Sequence, residues 1–161
     1  MNRADRDRMR VFAYGSNMST PRLRERAPSA IAVSIGYVSG RTLKWNKVSV
    51  DGSGKCDMAP ALGPGQVWGV VFALDGAEKP ALDKAEGLGK GYREEVVQVH
   101  TSGGVVEANA YVATRTENGL RPYHGYKQYV LDGAREHGLP DAYIRMLEAT
   151  ESVPEPDRPL R

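Results

Sequence analysis

The chain has 161 residues, 40% of them hydrophobic and 26% charged, with 18 Gly, 10 Pro and a formal net charge of +2, the composition of a single globular domain with many turns. So small a basic excess, with no aromatic residues interleaved, argues against a nucleic-acid surface. Cys56 is the only cysteine and no apolar run approaches the length of a membrane span, which excludes an intrachain disulfide and a Cys/His zinc cluster and predicts a cytoplasmic protein with no membrane partner.

Residues 1–10 are charged and aperiodic and are expected to be a disordered tail ahead of a domain over residues 11–150. Val11 to Tyr14 are types that a buried strand favours, and Gly15 stops the strand at once. Thr20 offers a helix N-cap and Pro21 the first helical position, so residues 20–27 are expected to form a short helix ended by Pro28. Residues 30–39 place Ile31, Val33 and Ile35 on one face and read as a strand, and residues 42–50 read as another after Gly40. The Gly- and Pro-rich stretch 51–64 is expected to be a loop with at most a short strand at 58–62. The unbroken apolar run Val67-Trp68-Gly69-Val70-Val71-Phe72-Ala73-Leu74 makes residues 66–74 the strongest strand, buried on both faces.

Asp75 can cap a helix over residues 77–86 that presents Leu82 and Ala85 and stops at Gly87. Residues 92–100 and 105–113 read as a hairpin through Ser102-Gly103-Gly104. Residues 123–137 and 142–150 are helices on either side of Gly138-Leu139-Pro140, and the Pro-rich residues 151–161 are expected to be a second disordered tail. Strands arriving with few helices between them predict an α+β fold, a mixed and mostly antiparallel sheet curled into a small barrel with flanking helices.

Three features bear on chemistry. Consecutive backbone N–H groups in the Gly15-Ser16-Asn17 turn, ahead of a helix, can hold a carboxylate or phosphate without a basic side chain, although the same residues are ordinary turn formers. Cys56 is a nucleophile or, more in keeping with its surroundings, an inert thiol, since His100, His124 and His137 sit in no recognisable partner motif. Glu86 ends its helix, and taken alone it reads as an exposed helix carboxylate.

Phe12-Ala13-Tyr14-Gly15-Ser16-Asn17, Val67-Trp68-Gly69-Val70-Val71 and Leu82-Asp83-Lys84-Ala85-Glu86-Gly87 followed by Gly91-Tyr92 resemble, in their order and spacing, the γ-glutamylcyclotransferase family. Tyr126-Lys127 and Gly133-Ala134-Arg135-Glu136 with Gly138-Leu139-Pro140 are similar to its glutathione-pathway members. The resemblance implies a small mixed fold with a barrel-like sheet, a catalytic Glu86, and a substrate-binding segment of Tyr14, Gly15, Ser16, Asn17, Met18 and Ser19. It also implies Tyr92 and Tyr126 near the pocket, and neither a metal nor a cofactor. Glutathione-pathway members often carry Gln before the catalytic Glu, where this chain has Ala85.

In the family reaction the α-amine of a γ-glutamyl amide attacks its own γ-carbonyl, giving 5-oxoproline and a free amine. The nucleophile belongs to the substrate, so one carboxyl can serve first as base and then as acid. The end of the helix and Asp83, three residues back, would strengthen Glu86 as that base. The implied partner is a small γ-glutamyl substrate, released as an amino acid or dipeptide, as an amine such as lysine from an isopeptide, or as a biosynthetic intermediate. The other readings are a non-catalytic member of the fold that binds a small carboxylate and, through Arg6, Arg8 and Arg10, a nucleic-acid binder. Family analogy adds a homodimer, which no feature of the sequence demonstrates.

Overall fold

The apolar run from Val67 to Leu74 becomes the strand on which the rest of the sheet is built. The computed structural model describes residues 8–156. Its elements are β1 (Arg8–Ala13), α1 (Thr20–Arg24), β2 (Ile31–Ser39), β3 (Arg41–Val48), β4 (Gly54–Pro60) and β5 (Gln66–Asp75), then α2 (Lys79–Glu86), β6 (Tyr92–Thr101), β7 (Gly104–Ala113), α3 (His124–Glu136) and α4 (Asp141–Glu148). Five strands close into a barrel in the order β1-β5-β2-β6-β7, while β3 and β4 form a separate two-stranded sheet. Every neighbouring pair in the barrel is antiparallel except β1 with β7. This is the mixed, mostly antiparallel barrel with flanking helices that the strand pattern predicts.

β5 pairs with β1 from Arg8 opposite Asp75 to Ala13 opposite Val70, and with β2 on its other side. Covered on both faces, it is buried from Gly69 to Leu74. Phe12, Phe72, Leu74, Leu82 and Leu147 are fully buried, each contributing roughly 1.5–3 kcal/mol by leaving water. Two seams of the barrel are thin: one residue pair, Val11 with Asn109, joins β1 to β7, and one, Tyr37 with His100, joins β2 to β6.

Several expectations need correction. β1 begins at Arg8 rather than Val11, because β5 extends far enough to pair with it, and Arg8 sits opposite Asp75 as a cross-strand pair of opposite charge. Only residues 1–7 of the expected tail lie outside the described residues. Ser19, not Thr20, occupies the N-cap of α1, which ends at Arg24. The expected loop 51–64 contains β4, paired with β3 from Arg41 opposite Pro60 to Val48 opposite Gly54. Of the Pro-rich end, Val153 is tied to the start of α3 through Val153 N to the Pro122 carbonyl at 2.9 Å and His124 N to the Val153 carbonyl at 2.9 Å. Residues 157–161 lie outside the described residues. Among the described residues no helix is long and apolar enough to cross a membrane.

The helix that carries Glu86 stops where its sequence predicts but starts at Lys79 rather than residue 77, because Asp75 caps a 3-10 turn ahead of it. The Asp75 carboxylate accepts the Ala77 N–H at 2.9 Å, and a short 3-10 turn, Gly76–Glu78, leads into α2. Gly87 ends it in the left-handed region at φ 77°, where a residue with a Cβ is strained. Glu86 is therefore the last residue of α2, and buried Leu82 on the inner face holds it at the barrel mouth.

Candidate active site

The turn after β1 is shaped by bonds within itself and by the helix that lies on it. Met18 N donates to the Gly15 carbonyl and Ser19 N to the Ser16 carbonyl, both at 3.1 Å, which leaves the amides of Gly15, Ser16 and Asn17 without a backbone acceptor among the described residues. α3 crosses the turn so closely that a Cβ on Gly133 would stand 2.4 Å from the Met18 carbonyl carbon and 2.5 Å from Ser19 N. Only glycine permits that approach. Met18 is wholly buried, and neither it nor Ser19 lines the cavity that opens beside the turn. Of the expected binding segment, Tyr14, Gly15, Ser16 and Asn17 do line it, together with Glu86, Tyr92 and Tyr126.

Glu86 and the turn are in direct contact: the Asn17 side-chain amide donates to a Glu86 carboxylate oxygen at 2.5 Å. The Asn17 Oδ1 is buried without a partner among the described residues, the kind of unmet polar atom that a folded protein rarely keeps without a use. Asp83, expected to strengthen Glu86, is turned away. Its carboxylate accepts Lys79 Nζ at 2.5 Å and the Tyr111 hydroxyl at 2.6 Å, while Lys79 Nζ also reaches Glu94 at 2.7 Å. Burial pulls the Lys79 ammonium down, but its bonds to Asp83 and Glu94 outweigh this and hold it above the ordinary lysine value.

The tyrosines are anchors as much as walls. Tyr14 donates to the Tyr111 carbonyl, Tyr92 donates to the Cys56 carbonyl at 2.8 Å, and the Tyr126 hydroxyl accepts from Cys56 N at 3.0 Å. Two rings are thus clamped to one residue of β4, fixing the second sheet against the barrel. Burial pushes the hydroxyls of Tyr14, Tyr92 and Tyr126 above the ordinary tyrosine value. The same cause pushes the Cys56 thiol up to about 12, so at neutral pH it stays protonated and is a poor nucleophile. None of the three histidines lines the cavity.

The cavity holds about 250 Å³. A model of the AIG2-like family matches residues 66–147, and a bovine gamma-glutamylcyclotransferase is 33% identical over 146 residues, covering 87% of this chain and 77% of that protein. The chain belongs to the γ-glutamylcyclotransferase, or AIG2-like, family. A solved structure of a human protein superposes with a TM-score of 0.86 at 30% identity over 94% of this chain and 93% of that one. Another, named gamma-glutamyl cyclotransferase, superposes at 0.83 with 29% identity over 96% and 92%.

In this member of the γ-glutamylcyclotransferase family, sequence reasoning missed the basic side chains around Glu86. Arg22, Arg26, Lys47, Lys55 and Lys90 all line the cavity, and among the described residues Glu86 is the only carboxylate that does. Arg22 bonds Ser16 Oγ at 3.1 Å and lies 4.4 Å above the Tyr129 ring. Lys47 Nζ stands 4.6 Å from the centre of the Tyr92 ring, and Lys55 Nζ 5.7 Å from that of Tyr126. Burial, with Lys55 alongside, lowers the Lys47 ammonium from the ordinary lysine value. No motif marks these residues; the signal available was Lys47 falling on the same side of its strand as Leu43 and Trp45.

Proposed function

We propose that the chain cyclises γ-glutamyl amides to 5-oxoproline, releasing the amine that had been acylated. The observation that carries this reading is Glu86, among the described residues the only carboxylate lining the cavity, tied by Asn17 to a turn three of whose amides have no backbone acceptor among those residues. The amides of Gly15, Ser16 and Asn17 hold the substrate's α-carboxylate, which brings its α-ammonium beside Glu86. Glu86 removes a proton from the ammonium, and the amine attacks the γ-carbonyl, closing a five-membered lactam. As the tetrahedral centre collapses, Glu86 gives its proton to the departing nitrogen and the C–N bond to that nitrogen breaks; the ring nitrogen sheds its second proton to the regenerated Glu86 carboxylate, which passes it to the released amine, leaving neutral lactam and free carboxylate. The Tyr126 hydroxyl, which lines the cavity and accepts from Cys56 N, is the candidate donor to the oxyanion. The curated relatives' name, gamma-glutamylcyclotransferase, supports the same reaction.

The alternative is a family member that binds a small carboxylate without turnover. It predicts γ-glutamyl ligand binding without 5-oxoproline. The test is 5-oxoproline release from γ-glutamyl amino acids, γ-glutamylamines and glutathione, with Glu86→Gln in parallel. Glutamine keeps the size and loses the proton transfer, so activity is expected to drop by about 10² to 10⁴-fold with the melting temperature unchanged. Binding without product, or a fully active Glu86→Gln, would overturn the reading.

A further inference from the structure

We infer that Lys47 and Lys55 form an anion subsite for the leaving half of the substrate, selecting γ-glutamyl amides whose departing amine carries a carboxylate. This rests on the cyclotransferase reading above. The two lysines are direct cross-strand partners on β3 and β4, an arrangement that destabilises a sheet when like charges face each other. Lys47 is 8% exposed over the whole residue and lines the cavity, where its ammonium, facing a second one, favours a counter-ion between them. The protein supplies that counter-ion elsewhere. Lys79, 5% exposed, has two carboxylates, and half-buried Arg41 has both oxygens of Glu95 at 2.9 Å. Among the described residues, no carboxylate forms an ion pair with Lys47 or Lys55. Asp51, the nearest acid in sequence, spends its carboxylate on the Ser53 amide at 2.9 Å and the Ser53 hydroxyl at 2.5 Å, closing the turn between the strands.

Both lysines are also aimed. Each stands over the ring of a tyrosine whose hydroxyl is fixed to Cys56, so the β3–β4 sheet presents two ammonium groups to the cavity from a wall that the barrel does not provide. The turn amides and Glu86 engage the γ-glutamyl half. The ammonium pair is left for charge on the other side of the scissile amide.

The test uses two amides that differ by one carboxylate: γ-glutamylalanine and γ-glutamyl ethylamide. In the wild-type chain kcat/KM is expected to favour the alanine amide by roughly tenfold to a hundredfold. Lys47→Met and Lys55→Met should each move that ratio toward one, and Lys47→Arg should keep most of it. A ratio near one in the wild type, or one that neither methionine variant moves while circular dichroism shows both folded, overturns the proposal. Equal losses on both amides overturn it as well, since the lysines would then serve the γ-glutamyl half. If neither amide is turned over, the cyclotransferase reading fails separately, and calorimetry with the same two compounds reads the lysine pair directly. Tighter binding of γ-glutamylalanine that Lys47→Met abolishes upholds the subsite; equal affinities, or no binding of either, sink it.

Discussion

Two lysines, both nearly enclosed, are treated in opposite ways on the two sides of α2. Behind the helix Lys79 sits between Asp83 and Glu94, with Tyr111 completing the bonds to Asp83, and the cluster ties α2 to β6 and β7. At the cavity Lys47 has an aromatic ring, a second lysine and, among the described residues, no ion-pairing carboxylate. A charge that the fold satisfies with its own residues is structural. A charge that reaches a cavity beside a like charge marks the place where something from outside is meant to complete it. Glu86 stands on that second side, held by an amide and not by a cation.

Stability measurements by urea unfolding sharpen the contrast. Lys79→Met leaves two carboxylates side by side without their cation, and because each is about a quarter exposed the expected loss is about 2 kcal/mol, less than for a fully buried pair. Tyr111→Phe removes one donor to Asp83 and keeps the ring, for an expected loss of about 1 kcal/mol. Lys47→Met should cost nothing or add up to about 1 kcal/mol, because it removes a repulsion across the strands. A Lys47→Met loss as large as that of Lys79→Met would break the comparison.

The dependence on pH runs in opposite senses. The folded-state value of Lys79 lies above 10.5, so its stabilisation is complete below pH 10.5 and is lost as the pH rises through the folded value. The folded-state value of Lys47 lies below 10.5. Its penalty is complete below that folded value and disappears as the pH climbs to 10.5, where the unfolded chain also releases the proton. The stability gap between wild type and Lys79→Met should therefore begin to close above pH 10.5, and that between wild type and Lys47→Met should have closed by then.

How much of this was legible follows from what each signal depends on. Local signals carried through: the continuous apolar run of β5, the Asp75 cap of the 3-10 turn that leads into α2, the Gly87 stop of α2, and the Ser102-Gly103-Gly104 hairpin all act over a few residues. β4 was hidden because the Gly and Pro flanking Cys56 and Met58 read as loop, and only pairing with β3 makes the segment a strand. Arg8 to Arg10 were hidden for the same reason, with β5 as the absent partner. The residues of the turn and Glu86 were legible through family resemblance, but Met18 and Ser19 face structural tasks that only the passage of α3 over the turn reveals. Lys47 falls in the alternation on the side of Leu43 and Trp45, and Lys55 in a stretch that reads as loop. Their enclosure depends on where a separate small sheet comes to rest, which no local pattern encodes.

Among the described strands β1 is made first, and its pairing is completed late. Its antiparallel partner lies on β5, and its parallel partner, Asn109, near the middle of β7. A nascent chain that has reached residue 100 therefore contains Asn17, Lys47, Lys55, Glu86 and Tyr92 but cannot yet close the barrel around them. The turn after β1 waits longer still, for α3. Such distant pairings fold slowly, and until β7 emerges β1 has β5 on one edge and nothing on the other, so this open edge is where synthesis of the protein is most exposed to misassembly and to capture by chaperones.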